Sequence, residues 1–397
     1  MKIGIAGPIS LAPLQQFFPA NAAIPSVASF PLIGAIAADL RERGHEISIF
    51  ALSGGVAHTR IIEGDRVRLY VCPRRRERWQ MPDFFRAERI ALRDAMRQAG
   101  CDVIHAHWTY EFGAAAVASG LPHVVTAHDV PMVVLRFARH PYWLEKPWLA
   151  VPVLRRARCV TAVSPYVAQQ LHRLLRPQHD IVVVPNGVGT EVFALTGRRA
   201  ARRTAETITF ASVLNGWGPR KNAKALIRAF ALVRKKFPGL VELKMIGSGF
   251  EKDGPAEKWA RRHDAELGIQ FVGPLPHSEV LTILAEEADV LVHPSLEEAC
   301  CMVAMEAMAI GIPVIGGEKS GGIPWELAHG EAGILTDVTS SPSIAKAMEL
   351  LVTDAGLRKG LGASGRRRAA EEYDLTRTVG RYETLLERVW QNRANDQ

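Results

Sequence analysis

The chain has 397 residues, 48% apolar and 23% charged, which suffices for two ordinary hydrophobic cores and excludes a disordered or fibrous protein. Net charge is +8, and the five cysteines, at 72, 101, 159, 300 and 301, include no C-x-x-C spacing, so neither a disulfide framework nor a zinc site is implied. Met1-Lys2 runs straight into an apolar strand, and the longest nearly apolar stretch, Ala299 to Gly317, is interrupted by Glu306, Gly311 and Pro313; the expectation is a cytoplasmic chain with neither signal peptide nor membrane span.

In chain order, strands and helices alternate from the start: Ile3–Ala6, a helix near Phe30–Arg43 closed by Gly44, then Glu46–Phe50. Further strand and helix pairs follow at Val67–Val71 with Asp83–Gln98, Asp102–His105 with Glu111–Ala118, His123–Ala127 with Tyr142–Arg156, and Cys159–Val163 with Tyr166–Leu175, before a strand at Ile181–Val184. Continuous apolar strands between amphipathic helices predict a parallel sheet covered on both faces. Within this half, Arg74, Arg75, Arg76 and Arg78 lead into Trp79, Met81, Phe84 and Phe85. Basic and aromatic residues together suit an anionic membrane surface, or simply a solvated charge run beside an amphipathic helix. Nucleic acid is not expected as a partner, because no groove-reading motif accompanies the charge.

The segment Thr196–Glu206 is polar, basic and without apolar periodicity, and an interdomain linker is placed there, between a first domain over 1–195 and a second over 207–372. The second alternation runs through strand Thr207–Val213, helix Ala223–Phe237, strand Glu242–Ile246, helix Pro255–Leu267, strand Gln270–Val272 and helix Ser278–Glu287. A last helix is expected over 376–391. No sequence repeat relates the halves. Two doubly wound, Rossmann-like α/β domains facing across a cleft would bind ligands at the carboxyl ends of their strands.

The most informative stretch is His293 to Trp325, read as the end of a buried strand, a helix over Cys301–Ile310 and the next strand over Pro313–Ile315. A helix beginning near Cys301 leaves the first amides of its opening turn, around Cys301, Met302 and Val303, open to an anion such as a diphosphate. Glu306, roughly 8 Å along the axis at ~1.5 Å per residue, would then stand beside a ribose diol, and Glu298 would face the sugar end.

The strings P-S-x-x-E, E-x7-E (Glu298 and Glu306), E-A-M-A-x-G-x-P-V and the downstream Gly-Gly resemble those of the retaining glycosyltransferases of the GT-B fold, family 4. The resemblance implies a nucleotide-sugar donor, a glycan or lipid-linked acceptor in bacterial surface polysaccharide synthesis, front-face retention with a diphosphate oxygen taking the acceptor's proton, and neither metal nor cofactor. It also implies that the first domain binds the acceptor and the second the nucleotide sugar, and that the last helix crosses back to the first domain. Lys221 is assigned to the diphosphate, whose developing charge a fixed cation stabilises, with Arg220 assisting. Gly273 and the Gly247-Ser248-Gly249 turn are assigned to the loops receiving the base. His128, in V-V-T-A-H-D, approaches the sugar or reacting centre, where a histidine hydrogen-bonds a hydroxyl or moves a proton near neutral pH.

His105 and His107 point to one side of a strand; lacking a third ligand in register, they are given a cleft-lining or acceptor role together with Gly7, rather than metal. The chain departs from its relatives at Asn215, where an arginine is usual, at Cys300-Cys301, where an aromatic and a glycine are usual, and at Val27-Ala28, where many have a glycine pair. Two other readings stand beside transfer: a sugar-nucleotide epimerase of the same fold, and a catalytically weak sugar-nucleotide-binding protein.

Overall fold

Each apolar run of the first half becomes a strand in the computed structural model, which describes residues 1–138, 140–177, 180–196 and 207–392. The chain divides into two units, Met1–Gly187 with Leu375–Gln397, and Val188–Asp374.

The first unit is built on β1 (Lys2–Ala6), β2 (Glu46–Ser53), β3 (Arg60–Glu63), β4 (Val67–Pro73), β5 (Val103–His107), β6 (His123–Ala127), β7 (Cys159–Ala162) and β8 (Ile181–Val183), in the order β3-β4-β2-β1-β5-β6-β7-β8. Ile3 pairs with both Ile47 and Val103, so β1 is central, between β2 and β5. All pairings are parallel except β3 against β4. β5 and β6 are buried at every position, as strands covered on both faces must be. The helix Pro31–Glu42 covers one face with Ile33, Ile36 and Leu40, and the final helix, Leu375–Gln391, adds Val379, Tyr382 and Leu386 to the same core. On its neighbouring edge Glu383 meets Arg43 at 3.0 Å and His45 at 2.7 Å.

Two local expectations shift. The edge strand β3 was not anticipated from its sequence. The helix expected from Asp83 begins at Arg86, because Phe84 and Phe85 take left-handed φ angles of 54° and 59° and so end the preceding turn, with Phe85 buried.

The second unit carries β9 (Ile208–Val213), β10 (Val241–Ile246), β11 (Ile269–Gly273), β12 (Val290–His293), β13 (Val314–Gly317) and β14 (Ile334–Thr336), all parallel, ordered β11-β10-β9-β12-β13-β14. Its boundary lies earlier than the expected residue 195: Val188 and Val192 are buried in this unit's core, and the Val188 amide donates to Tyr373 O at 2.6 Å. The expected linker falls, apart from Thr196, outside the described residues. Among the described residues no helix is long and apolar enough to cross a membrane.

Candidate active site

β12 ends at His293, and the loop beyond it is tied to the turn Pro219–Lys221 that follows β9: Leu296 N donates to Arg220 O at 2.8 Å, and Asn222 Nδ2 to Pro294 O at 3.2 Å. Asn222 sits at φ 52°, a left-handed position that asparagine tolerates. These ties bring Lys221 Nζ to 2.5 Å from Glu298 Oε1, with His293 Nε2 3.0 Å from the same oxygen and Arg220 3.9 Å from Oε2. Burial alone would raise the Glu298 carboxyl, but the His293 hydrogen bond and the charges of His293, Lys221 and Arg220 outweigh it and hold Glu298 well below the ordinary carboxylate range. Gly322 N donates to Glu298 O at 2.8 Å, and a Cβ on Gly321, at φ 64°, would overlap that carbonyl oxygen. The glycine pair is therefore what lets this backbone close over Glu298.

The helix after Glu298 runs over Met302–Ile310 with Cys301 as its N-cap. Here an expectation is corrected: the Cys301 amide is not open to an anion, because it donates to Glu326 Oε1 at 2.8 Å. Among the described residues the amides of Met302 and Val303 have no hydrogen-bond partner. Glu326 is fully buried, its Oε2 has no partner among the described residues, and burial pushes its carboxyl up to about 7 against the pull of the Cys301 amide.

Glu306 is buried on the helix, 2.8 Å from His277 Nε2, a half-exposed partner that sequence reasoning missed. That hydrogen bond, against some burial, raises the His277 imidazole above its ordinary value. Gly273 closes β11 at φ 83° and accepts from Gly247 N at 2.8 Å, so the two expected base-receiving loops are joined. Asn215 is exposed at the exit of β9.

In the first unit, His128 is 9% exposed and its Nε2 lies 2.9 Å from His107 Nδ1, with its ring against Trp108 at 4.4 Å. Burial pushes His128 down to about 3, which favours the hydrogen-bonding one of the two expected roles over proton transfer. His105 and His107 do not line a cleft. Both are fully buried; His105 Nε2 meets Thr126 Oγ1 at 2.8 Å and its ring packs on Tyr382 of the final helix at 4.4 Å. Gly7, buried at the end of β1, leaves room for His107, whose Cβ would be 3.2 Å from an added methyl. Among the described residues no group of three or more His, Cys, Asp or Glu is arranged to hold a metal ion.

The basic run is smaller than its sequence suggests. Arg75 is engaged by Asp83 at 2.8 Å and by the fully buried Glu88 at 2.7 Å. Arg76, Arg78 and Trp79 remain exposed, and Arg74 is half-buried.

The family model for glycosyl transferases group 1 matches residues 199–368, and that for glycosyltransferase family 4 matches residues 32–192. The chain is 32% identical to the D-inositol 3-phosphate glycosyltransferase of Stackebrandtia nassauensis over 68% of its length, spanning 64% of that enzyme. It is 30% identical to the enzyme of the same name from Kribbella flavida, over 71% of this chain and 70% of the relative. The fold is that of the Anabaena HepE protein solved with UDP and glucose, at a TM-score of 0.69 and 18% identity over 98% of this chain and 99% of the other.

Proposed function

Because this chain belongs to the group 1 glycosyl transferases, family 4, we propose that it moves a sugar from a UDP or GDP donor to a hydroxyl acceptor with retention at the anomeric carbon. The observation that carries the reading is the Lys221–Glu298 pair set beside the unpartnered amides of Met302 and Val303. An ammonium whose one ion-pair partner among the described residues is a carboxylate is poised to exchange it for a diphosphate, and the helix N-terminus adds two donors and a favourable dipole. UDP and glucose in the HepE structure support a donor of this class.

In the proposed reaction the bond between the anomeric carbon and the diphosphate oxygen breaks, the acceptor oxygen bonds to the same face of that carbon, and the acceptor's proton passes to the departing diphosphate oxygen. Lys221 and the two amides stabilise the charge that collects on the diphosphate, which is the task a metal would otherwise perform. Glu298, released from Lys221, accepts from sugar hydroxyls, and Glu306, oriented by His277, accepts from the ribose diol. Arg220 assists Lys221, and the joined loops at Gly247 and Gly273 take the base. Glu298 keeps the His293 hydrogen bond after Lys221 turns to the diphosphate, which argues against its use as the free nucleophile of a double displacement. A glycan or lipid-linked glycan at an anionic membrane surface, met by Arg76, Arg78 and Trp79, completes the proposal.

The test is NMR of the product's anomeric configuration, with nucleotide release followed in parallel. Retention, with release dependent on added acceptor, is the expected result. Inversion would overturn the mechanism, and acceptor-independent release of an epimer would replace transfer by epimerisation.

A further inference from the structure

The helix Met302–Ile310 opens without a cap of its own. Cys301 stands at the N-cap and its side chain makes no capping hydrogen bond, and Ala304 holds the third helical position, where a capping box has the glutamate that reaches back to the N-cap amide. That glutamate arrives from another element: Glu326, the last residue of the short helix Ile323–Glu326 after the glycine pair, accepts from Cys301 N at 2.8 Å. Gly322 permits the approach, since a Cβ there would lie 2.6 Å from Ala299 O and 3.2 Å from Glu326 Oε1.

Holding the helix takes one oxygen of this carboxyl, yet both are withdrawn from water. Glu326 is 0% exposed, and Oε2 has no partner among the described residues. The groups packed around it leave its charge open. In the loop before the helix, the Cys301 amide and the Cys300 thiol favour the carboxylate, while the charge of Glu298 disfavours it, with the Cys301 thiol beside them. From the helix Ala355–Glu372 and its end come Arg368, whose guanidinium faces the Trp325 and Tyr373 rings at 5.5 and 5.6 Å, and Tyr373, whose hydroxyl donates to the backbone Glu326 O at 3.2 Å. Lys221 is paired with Glu298. Among the described residues no cation lies within ion-pair distance of the Glu326 carboxylate, and burial outweighs the amide and the thiol to leave this carboxyl poised at about 7.

We propose that Glu326 is a positioning residue of the donor helix whose proton is coupled to the ligand: a nucleoside diphosphate at the Met302 and Val303 amides binds together with one proton, taken from solvent onto the Glu326 carboxylate. The Cys301 amide that Glu326 occupies is the next along the chain from those left to the diphosphate, at about 4 Å per residue. One helix tip favours a single anion there, and two held together in a buried setting repel. A protonated carboxyl still offers an oxygen to the Cys301 amide, so the anchor survives the loss of charge. Ionised Glu326 opposes the diphosphate, and donor affinity therefore falls as pH rises through neutrality. The coupling presupposes the donor reading above.

The full chain is titrated calorimetrically with UDP and with GDP, at pH 6, 7 and 8 and in buffers of different ionisation enthalpy, with Glu326→Gln beside wild type. The variant keeps an oxygen for the Cys301 amide and cannot ionise. Protonation of the nucleotide's terminal phosphate or of His277 is common to both proteins, so the difference between them belongs to Glu326. Wild type and variant bind alike at pH 6; between pH 6 and 8 wild type weakens about five- to tenfold more, and near pH 7 it takes up protons that the variant does not. Equal pH profiles with equal proton uptake would overturn the proposal, as would a variant weaker by the same factor at every pH, the mark of a purely structural anchor. Binding of neither nucleotide at any pH would overturn the donor reading and the coupling with it. Should Glu326→Gln not fold, infrared difference spectra of wild type decide: a buried carboxylic acid band that titrates near pH 7 in the free protein persists to higher pH with nucleotide bound, and a band that nucleotide does not move would overturn the proposal.

Discussion

Replacing Lys221 by methionine isolates the cation that the proposed site depends on while keeping most of its apolar stem. Lys221 and Glu298 pair at 2.5 Å with side chains 12% and 11% exposed, so the substitution strips a partner from a largely buried carboxylate. Such losses cost about 3–5 kcal/mol when nothing replaces the partner. Glu298 keeps His293 at 3.0 Å and Arg220 at 3.9 Å, which lowers the expectation to about 2–3 kcal/mol. At ~2–4 °C per kcal/mol for a domain of this size, the melting temperature of the second unit should fall by about 5–10 °C. Wild-type protein at 100 times its Kd for UDP or GDP gains about 2.7 kcal/mol, and so regains a similar interval. Loss of a charged hydrogen bond to the diphosphate, about 1.5–3 kcal/mol, should remove most of that gain in the variant at the same nucleotide concentration. The assay is a thermal melt with and without nucleotide. A variant that melts lower yet is stabilised by nucleotide as strongly as wild type would refute the assignment of Lys221 to the diphosphate.

Glu326 is expected to show in the pH dependence. Its carboxyl rises in the fold from 4.5 to about 7, so its contribution is fully present below about pH 4.5 and is lost as pH climbs through 7. Denaturant melts should show up to about 3 kcal/mol less stability at pH 8 than at pH 5, and Glu326→Gln should flatten that slope; an unchanged slope contradicts the assignment. For Glu298 the sign is opposite: its depressed carboxyl gives stability present above about pH 4.5 and lost as pH falls toward the folded value, and Glu298→Gln should remove that acid limb while reducing turnover. His107→Phe deprives the buried His128 of its 2.9 Å partner and should cost about 1–3 kcal/mol and lower turnover, with nucleotide stabilisation intact; unchanged turnover would make the His107–His128 contact purely structural. Sedimentation with phosphatidylglycerol vesicles should be salt-sensitive and weakened several-fold by Arg78→Glu, at about 1 kcal/mol per basic residue near the surface; salt-independent sedimentation, or none, would remove the membrane from the proposal.

Most strands were readable because each is an apolar run bounded by turn residues, and the ones buried on both faces, such as His123–Ala127, read most clearly. β3 escaped because Arg60–Glu63 is charged at both ends and lies on an edge, where Ile61 and Ile62 alone carry little periodic signal. The unit boundary was displaced because Val188 and Val192 owe their burial to residues as distant as Tyr373. Glu298, Glu306 and the Gly321-Gly322 pair were legible as a local string with fixed spacing. Their partners were not. His277, His293 and Glu326 act through contacts made only when loops from several strands meet, and His105 and His107 read as cleft-lining or acceptor groups until Tyr382, from the other end of the chain, packs against His105. The double left-handed step at Phe84-Phe85 carries no composition signal, since neither residue favours it.

The proposed transfer depends on where a nucleotide diphosphate sits. A crystal structure of the chain soaked with UDP or GDP should place the diphosphate within hydrogen-bond distance of Lys221 Nζ and of the Met302 and Val303 amides, with Lys221 drawn away from Glu298. Nucleotide bound elsewhere, or Lys221 still closed on Glu298 beside an occupied site, would contradict it.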